Sequence, residues 1–125
     1  MKTSELSGAL LDYWVARAEL EEFKGCKLDR NVQSRIDEKL SHAGQPFRPS
    51  LNWAQGGPII ERERISVVID KDDNEWQAAM NVCDQNMMGF GGNHYQYGPT
   101  PLVAAMRAYV ASKYGDSVPD EGGVS

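Results

Sequence analysis

The sequence predicts a small single α+β domain, a short antiparallel sheet flanked by two helices with two long Gly/Pro/aromatic loops between them. Three observations predict it. The stripe Leu6, Leu10, Leu11, Trp14, Ala18 near the start and the stripe Leu102, Ala105, Met106, Tyr109, Val110 near the end recur at steps of three and four, the period of a helix with one face in a core. Between them "ERISVVID" (63–70) and "EWQAAMNV" (from 75) are strand-like runs joined by the turn-forming "KDDN" (71–74). At 125 residues, 41% hydrophobic and 25% charged, the chain is ordinary globular material for one domain.

Each element has its own warrant. Residues 3–22 form the first helix, with Thr3 or Ser4 able to cap its free amides. Gly25 within "KGCKLD" (24–29) breaks it, and a short strand follows. Residues 31–42, "NVQSRIDEKLSH", place Val32, Ile36 and Leu40 four apart in a polar background, which fits a short surface helix or a decorated loop. "GQPFRPSLNWAQGGP" (44–58) holds three glycines and three prolines, so it reads as a long structured loop. The hairpin comes next, and a second loop covers 84–99. The last helix runs from Pro101 to Lys113: Thr100 caps it, Pro101 takes the first helical position and Gly115 closes it. Residues 1–118 make the domain, and 119–125 a flexible acidic tail.

Composition narrows the function classes. The formal charge is −5 and no run of Lys or Arg supplies a basic patch, so binding to bulk nucleic acid is disfavoured. No apolar run is long enough to span a membrane, and the first residues lack the apolar core of a signal peptide, so a cytoplasmic location is expected. Cys26 and Cys83 stand alone and read as free thiols. The chain has no nucleophile elbow, zinc-helix motif or P-loop, and "GFGGN" is not a dinucleotide fingerprint. Cys83 and His94 have no spacing that argues for a nucleophile and base. Asp70, Asp72, Asp73 and Glu75 read as a solvated hairpin tip rather than a calcium loop. Glu61 and Glu63 beside Arg62 and Arg64 read as an exposed, salt-laced segment. No catalytic residue, cofactor or metal ligand is expected.

The two loops carry the functional expectation. Rings stack on bases, amides read polar edges, and glycines admit a ligand to the backbone. On that basis Trp53, Phe90 or Tyr97 would stack, Gln55 and Asn93 would read edges, and Gly56, Gly57, Thr100 and the helix start, with Arg48 or Arg107, would hold a phosphate. Each has a plainer reading. Trp53 and Phe90 read first as core rings, since a domain this small uses its rings for packing, Thr100-Pro101 is first a helix start, and Arg107 faces a pocket or pairs with an acid such as Glu61.

Three blocks, "MKTSELSGALLDYWVARAE", "PSLNWAQGGPIIERERI" and "YGPTPLVAAMRAYVASKYGDSVPDE", together about half the chain, resemble the NinX family of small proteins of tailed phages and prophages. The family brings no assigned chemistry. It implies an accessory phage protein acting in the host cytoplasm. Combined with the loops, that setting suggests a protein that binds and sequesters a nucleotide-derived small molecule, such as an ADP-ribose derivative or a cyclic oligonucleotide made as an immune signal. No catalysis is expected, and a homo-oligomer is expected to complete the pocket. The alternatives are a protein–protein interaction module and an enzyme that degrades a nucleotide signal.

Overall fold

The computed structural model describes residues 1–20, 23, 26, 28–41, 44–72, 74–80 and 95–118. Within them the order is a 3₁₀ turn (Thr3–Glu5), α1 (Gly8–Glu19), α2 (Arg30–Leu40), α3 (Trp53–Glu63), β1 (Ile65–Asp70), β2 (Glu75–Met80), β3 (Tyr95–Gly98) and α4 (Pro101–Tyr114). This is a small α+β domain. Its three-stranded antiparallel sheet has the order β1-β2-β3.

Helix α4 is the centre. It packs on all three strands and also against α1 and α3, so nearly its whole circumference is buried, from Leu102 through Val110. Its ends are where the sequence put them. Thr100 accepts from the Val103 N–H, Pro101 opens the helix, and Gly115 closes it at φ 87°, a left-handed value that suits glycine. The sheet face beneath it carries Ile65, Val67, Trp76, Ala78 and Gln96, matched across strands by the pairings Val67↔Ala78 and Ala78↔Gln96. At Gly98 the backbones meet: a Cβ there would lie 2.6 Å from the Ala104 nitrogen.

Helix α1 begins later than the stripe suggests, after a separate turn at Thr3–Glu5, and is buried continuously from Leu11 to Arg17. The Tyr13 hydroxyl donates to the Cys26 carbonyl and holds the following segment, which forms no strand at its described residues. Residues 30–40 resolve the open choice as a helix. Asp29 caps it by accepting from the Val32 N–H at 2.8 Å, and Val32 and Ile36 are buried. Burying two such side chains contributes about 3–6 kcal/mol, enough to hold an otherwise polar helix in place.

Two expectations are overturned. The stretch 44–58 is not all loop: α3 starts at Trp53 and contains Gly56, Gly57 and Pro58. Asn52 caps it by accepting from the Ala54 N–H, and tertiary packing outweighs the poor local propensity. The loop 84–99 likewise ends in a strand, β3, because the alternation Tyr95, Gln96, Tyr97, Gly98 pairs with β2. The domain therefore holds four helices rather than two among the described residues, of which α4 and α3 pack on the sheet. The hairpin is as expected, with Asn74 at φ 56° in its turn. Met1 and Lys2 meet the far end of the domain: the Met1 ammonium donates to the Val118 carbonyl, and Thr3 Oγ1 donates to the Gly115 carbonyl at 2.7 Å.

Candidate functional site

One concavity among the described residues is an open groove of about 260 Å³ where the ends of α1 and α2 meet α3. Leu40, Phe47 and Ile59 supply its apolar wall, and Ala54 and Pro58 one side of α3. Glu19 and Arg62 close one end. Arg62 donates through Nη2 to Glu19 at 2.8 Å and to the Tyr109 hydroxyl at 3.2 Å, and through Nε to Glu63 at 2.7 Å. These carboxylates raise its pKa further, with the Glu19 hydrogen bond the largest cause. The salt-laced segment is real, but it is anchored to α1 as well as to itself. Burial, aided by the Glu19 charge, pushes the Tyr109 hydroxyl up to about 12, so it is a neutral partner here.

The segment before α3 is held from both sides. Gln55 is buried and reaches back from α3: its Oε1 accepts from the Arg48 N–H, and its Nε2 donates to the Pro46 carbonyl at 2.8 Å. Asp37 on α2 accepts from the Phe47 N–H at 3.1 Å. Gln55 is thus engaged in holding its own loop. Gly56 is also a packing residue, since a Cβ there would lie 2.4 Å from the Pro49 carbonyl oxygen and 2.6 Å from Leu102 Cδ2. Gly57 has room, with Trp53 Cε3 3.9 Å from where its Cβ would be.

Trp53 is not a core ring. It is 57% exposed, and its neighbour Leu51 is 71% exposed. An indole left in water at a helix start is uncommon in a packed domain and offers a stacking surface. Arg48 lies in the same turn, its carbonyl accepting from the Leu51 and Asn52 N–H groups. Its guanidinium is partly exposed, donates through Nη1 to the Phe47 carbonyl at 3.2 Å and lies 3.9 Å from Asp37, a surface pairing worth about 0–1 kcal/mol.

The other expected residues lie apart, at β3 and α4. Arg107 does not pair with Glu61. It donates to the carbonyls of Leu6 and Tyr97, both at 2.8 Å, and burial lowers its pKa against the weaker effect of Glu75. Thr100 is engaged as the helix cap. Tyr97 lies on the sheet face opposite α4, edge-on to Tyr95 at 5.3 Å, and its hydroxyl accepts from Gln77 Nε2 at 3.0 Å. Hydrogen bonding with Tyr95 raises the Tyr97 pKa. Phe90 and Asn93 lie outside the described residues, as do Cys83, His94 and the tail 119–125. The structure therefore brings Arg48, Trp53, Gln55, Gly56 and Gly57 together and leaves Tyr97, Thr100 and Arg107 as a separate group.

Sequence reasoning missed two buried polar residues of α1. Asp12 is 2% exposed; its Oδ1 accepts from the Ser50 N–H at 2.9 Å and its Oδ2 has no partner among described residues. Burial raises its pKa, against the opposing Ser50 hydrogen bonds and the Arg48 charge. Arg17 is 3% exposed, its guanidinium carbon 4.3 Å from the Trp14 ring centroid. Both fall inside a helical stripe that reads as amphipathic, and no local pattern separates them from surface charges.

Among the described residues no three His, Cys, Asp or Glu side chains stand close enough to hold a metal ion, and no helix is long and apolar enough to cross a membrane. The family profile described as Bacteriophage P22, NinX matches residues 2–113, including the segments between the three blocks that carried the resemblance. No curated protein matches the chain.

Proposed function

We propose that this chain, which belongs to the NinX family of bacteriophage P22, binds and sequesters a small nucleotide-derived molecule in the host cytoplasm without converting it. The observation that carries this reading is the exposed indole of Trp53 at the head of α3, the helix that also walls the groove. A flat ring free to stack, an apolar groove and the partly exposed guanidinium of Arg48 nearby suit a base and an anionic group. Gln55, Gly56, Thr100 and Arg107 are assigned to the scaffold rather than to the ligand, each having a protein partner of its own.

The test is a release assay. Purified protein is mixed with ADP-ribose derivatives and cyclic oligonucleotides, freed of unbound compound and heat-denatured, and mass spectrometry identifies what is released. An intact compound recovered only after denaturation supports sequestration, and a cleaved one replaces it with an enzyme. Trp53→Ala should abolish retention while leaving the denaturation midpoint unchanged; normal retention by that variant removes Trp53 from the site. Sedimentation of the loaded protein tests the accompanying proposal that a second copy completes the pocket.

The adjoining exposure of Leu51 and Trp53 favours one other reading, docking onto a host or phage protein. Retention of nothing from the panel, with a partner captured from infected cells and lost in Trp53→Ala, would favour it.

A further inference from the structure

The two edges of the sheet are protected unequally. β3 is four residues long and runs through Gly98 into the start of α4, and its Tyr97 carbonyl already accepts from Arg107. β1 is six residues long, pairs with β2 residue for residue from Ile65 to Asp70, and has no strand on its other side among the described residues. From Ile65 to Ile69 it carries no proline, glycine or charge, the devices that usually keep an edge from pairing. Val68 and Ile69 are 41% and 42% exposed. The outward N–H and C=O groups of this edge and its β-branched side chains fit one more extended strand.

The flanking charges identify that strand. Opposite residues of an antiparallel pair share a face, so two copies of β1 related by a two-fold axis must pair about a residue that faces its own copy. Centring on Val67 sets Ile65 opposite Ile69 and Ser66 opposite Val68. At each end it also sets Arg64, the residue between α3 and β1, opposite Asp70 and brings Glu63 beside Lys71. Centring on Ser66 puts Arg64 opposite Val68, and centring on Val68 puts Lys71 opposite Ile65. Of the three, the Val67 register alone matches acid with base at each end and sets no charge opposite an apolar side chain.

We propose that the ligand-free protein forms a symmetric dimer by antiparallel pairing of its β1 edges about Val67, which joins the two sheets into one of six strands with both copies of α4 on the same face. This goes beyond the binding reading and does not rest on it. Trp53 and Glu63 are the two ends of α3, about 15 Å apart along the helix, and only the Glu63 end meets the seam.

Sedimentation velocity of the ligand-free chain, from micromolar to millimolar concentration, is the test. The mass should move from 13.9 kDa toward twice that value. Arg64→Glu or Asp70→Lys alone creates two like-charge contacts across the seam and should weaken the dimer about 10–100-fold. An equimolar mixture of the two variants has opposite charges at both ends again and should dimerise as the wild type does, an outcome that misfolding of either variant cannot give. A chain that stays at 13.9 kDa throughout overturns the proposal, whether its edge takes a strand of another protein or none. A dimer that both variants leave intact also overturns it, because another surface is then in use, and so does a mixture that stays monomeric. A dimer that forms only with nucleotide bound overturns it as well and leaves the sequestration reading standing.

Discussion

Gly56 and Gly57 are neighbours in one helix and should respond oppositely to the same substitution. Glycine in a helix interior is about 1 kcal/mol less favourable than alanine, so Gly→Ala is stabilising wherever there is room. At Gly57 there is room: the new Cβ would lie 3.9 Å from Trp53 Cε3, an ordinary contact. At Gly56 it would lie 2.4 Å from the Pro49 carbonyl oxygen and 2.6 Å from Leu102 Cδ2, about 1 Å inside contact distance on two sides. Neither neighbour yields easily. The Pro49 oxygen is backbone in a turn fixed by the bonds of Leu51 and Asn52 to the Arg48 carbonyl, and Leu102 is buried against the core. Overpacking of this kind costs about 3 kcal/mol at the upper end of its range, which outweighs the helical gain by about 2 kcal/mol. The two variants should therefore differ by about 3 kcal/mol, or roughly 1–3 M in urea midpoint. Equilibrium urea unfolding of both, with slopes compared, measures it. If Gly56→Ala unfolds at or above the wild-type midpoint, α3 does not approach Pro49 and Leu102 as described, and the packing account of this helix fails.

Two further variants test the scaffold. Burial raises the Asp12 pKa above its ordinary 3.8, so the stabilisation this group gives is complete below that value and is lost as pH rises through the folded-state pKa. Asp12→Asn keeps an acceptor for the Ser50 N–H without the charge, so its urea midpoint should gain on the wild type from pH 4 to pH 7; a constant or shrinking difference refutes the assignment. Gln55→Ala removes the partners of the Arg48 N–H and the Pro46 carbonyl and should cost about 1–3 kcal/mol, with faster amide exchange at Arg48. Unchanged exchange there would mean the loop is held by Asp37 alone.

The elements that were legible carry their signals within a few residues. Thr100, Pro101 and Gly115 delimit α4, and "KDDN" marks the hairpin turn, because caps and turns are local chemistry. Helix α3 was hidden because its glycines and proline are helix breakers by propensity, while the reason for Gly56 is tertiary, the close approach of Pro49 and Leu102. A signal was present in Asn52, a good cap followed by Ile59 and Ile60 at helical distance. Strand β3 was hidden by its length of four residues, although Tyr-Gln-Tyr alternates as a strand should. For the proposed site, the exposure of Trp53 was not legible, since a ring in a small domain reads first as core, and Gln55 and Arg107 were not distinguishable from ligand readers. An amide or guanidinium bonded to its own backbone looks the same in sequence as one facing a ligand.

The stitched ends have a consequence for how the chain is made. The Met1 ammonium, the Lys2 backbone and the Thr3 hydroxyl all find their partners between Gly115 and Val118. A ribosome adding about 5–20 residues per second leaves that first turn waiting roughly 6–25 s for the other half of its seam. Helix α4, on which every strand and two helices pack, also emerges last. The nascent chain therefore lacks, until synthesis has passed residue 118, both the helix its strands share and the seam that joins its ends. An extension fused ahead of Met1 would replace the ammonium at that seam with a neutral amide and crowd the last contact to form.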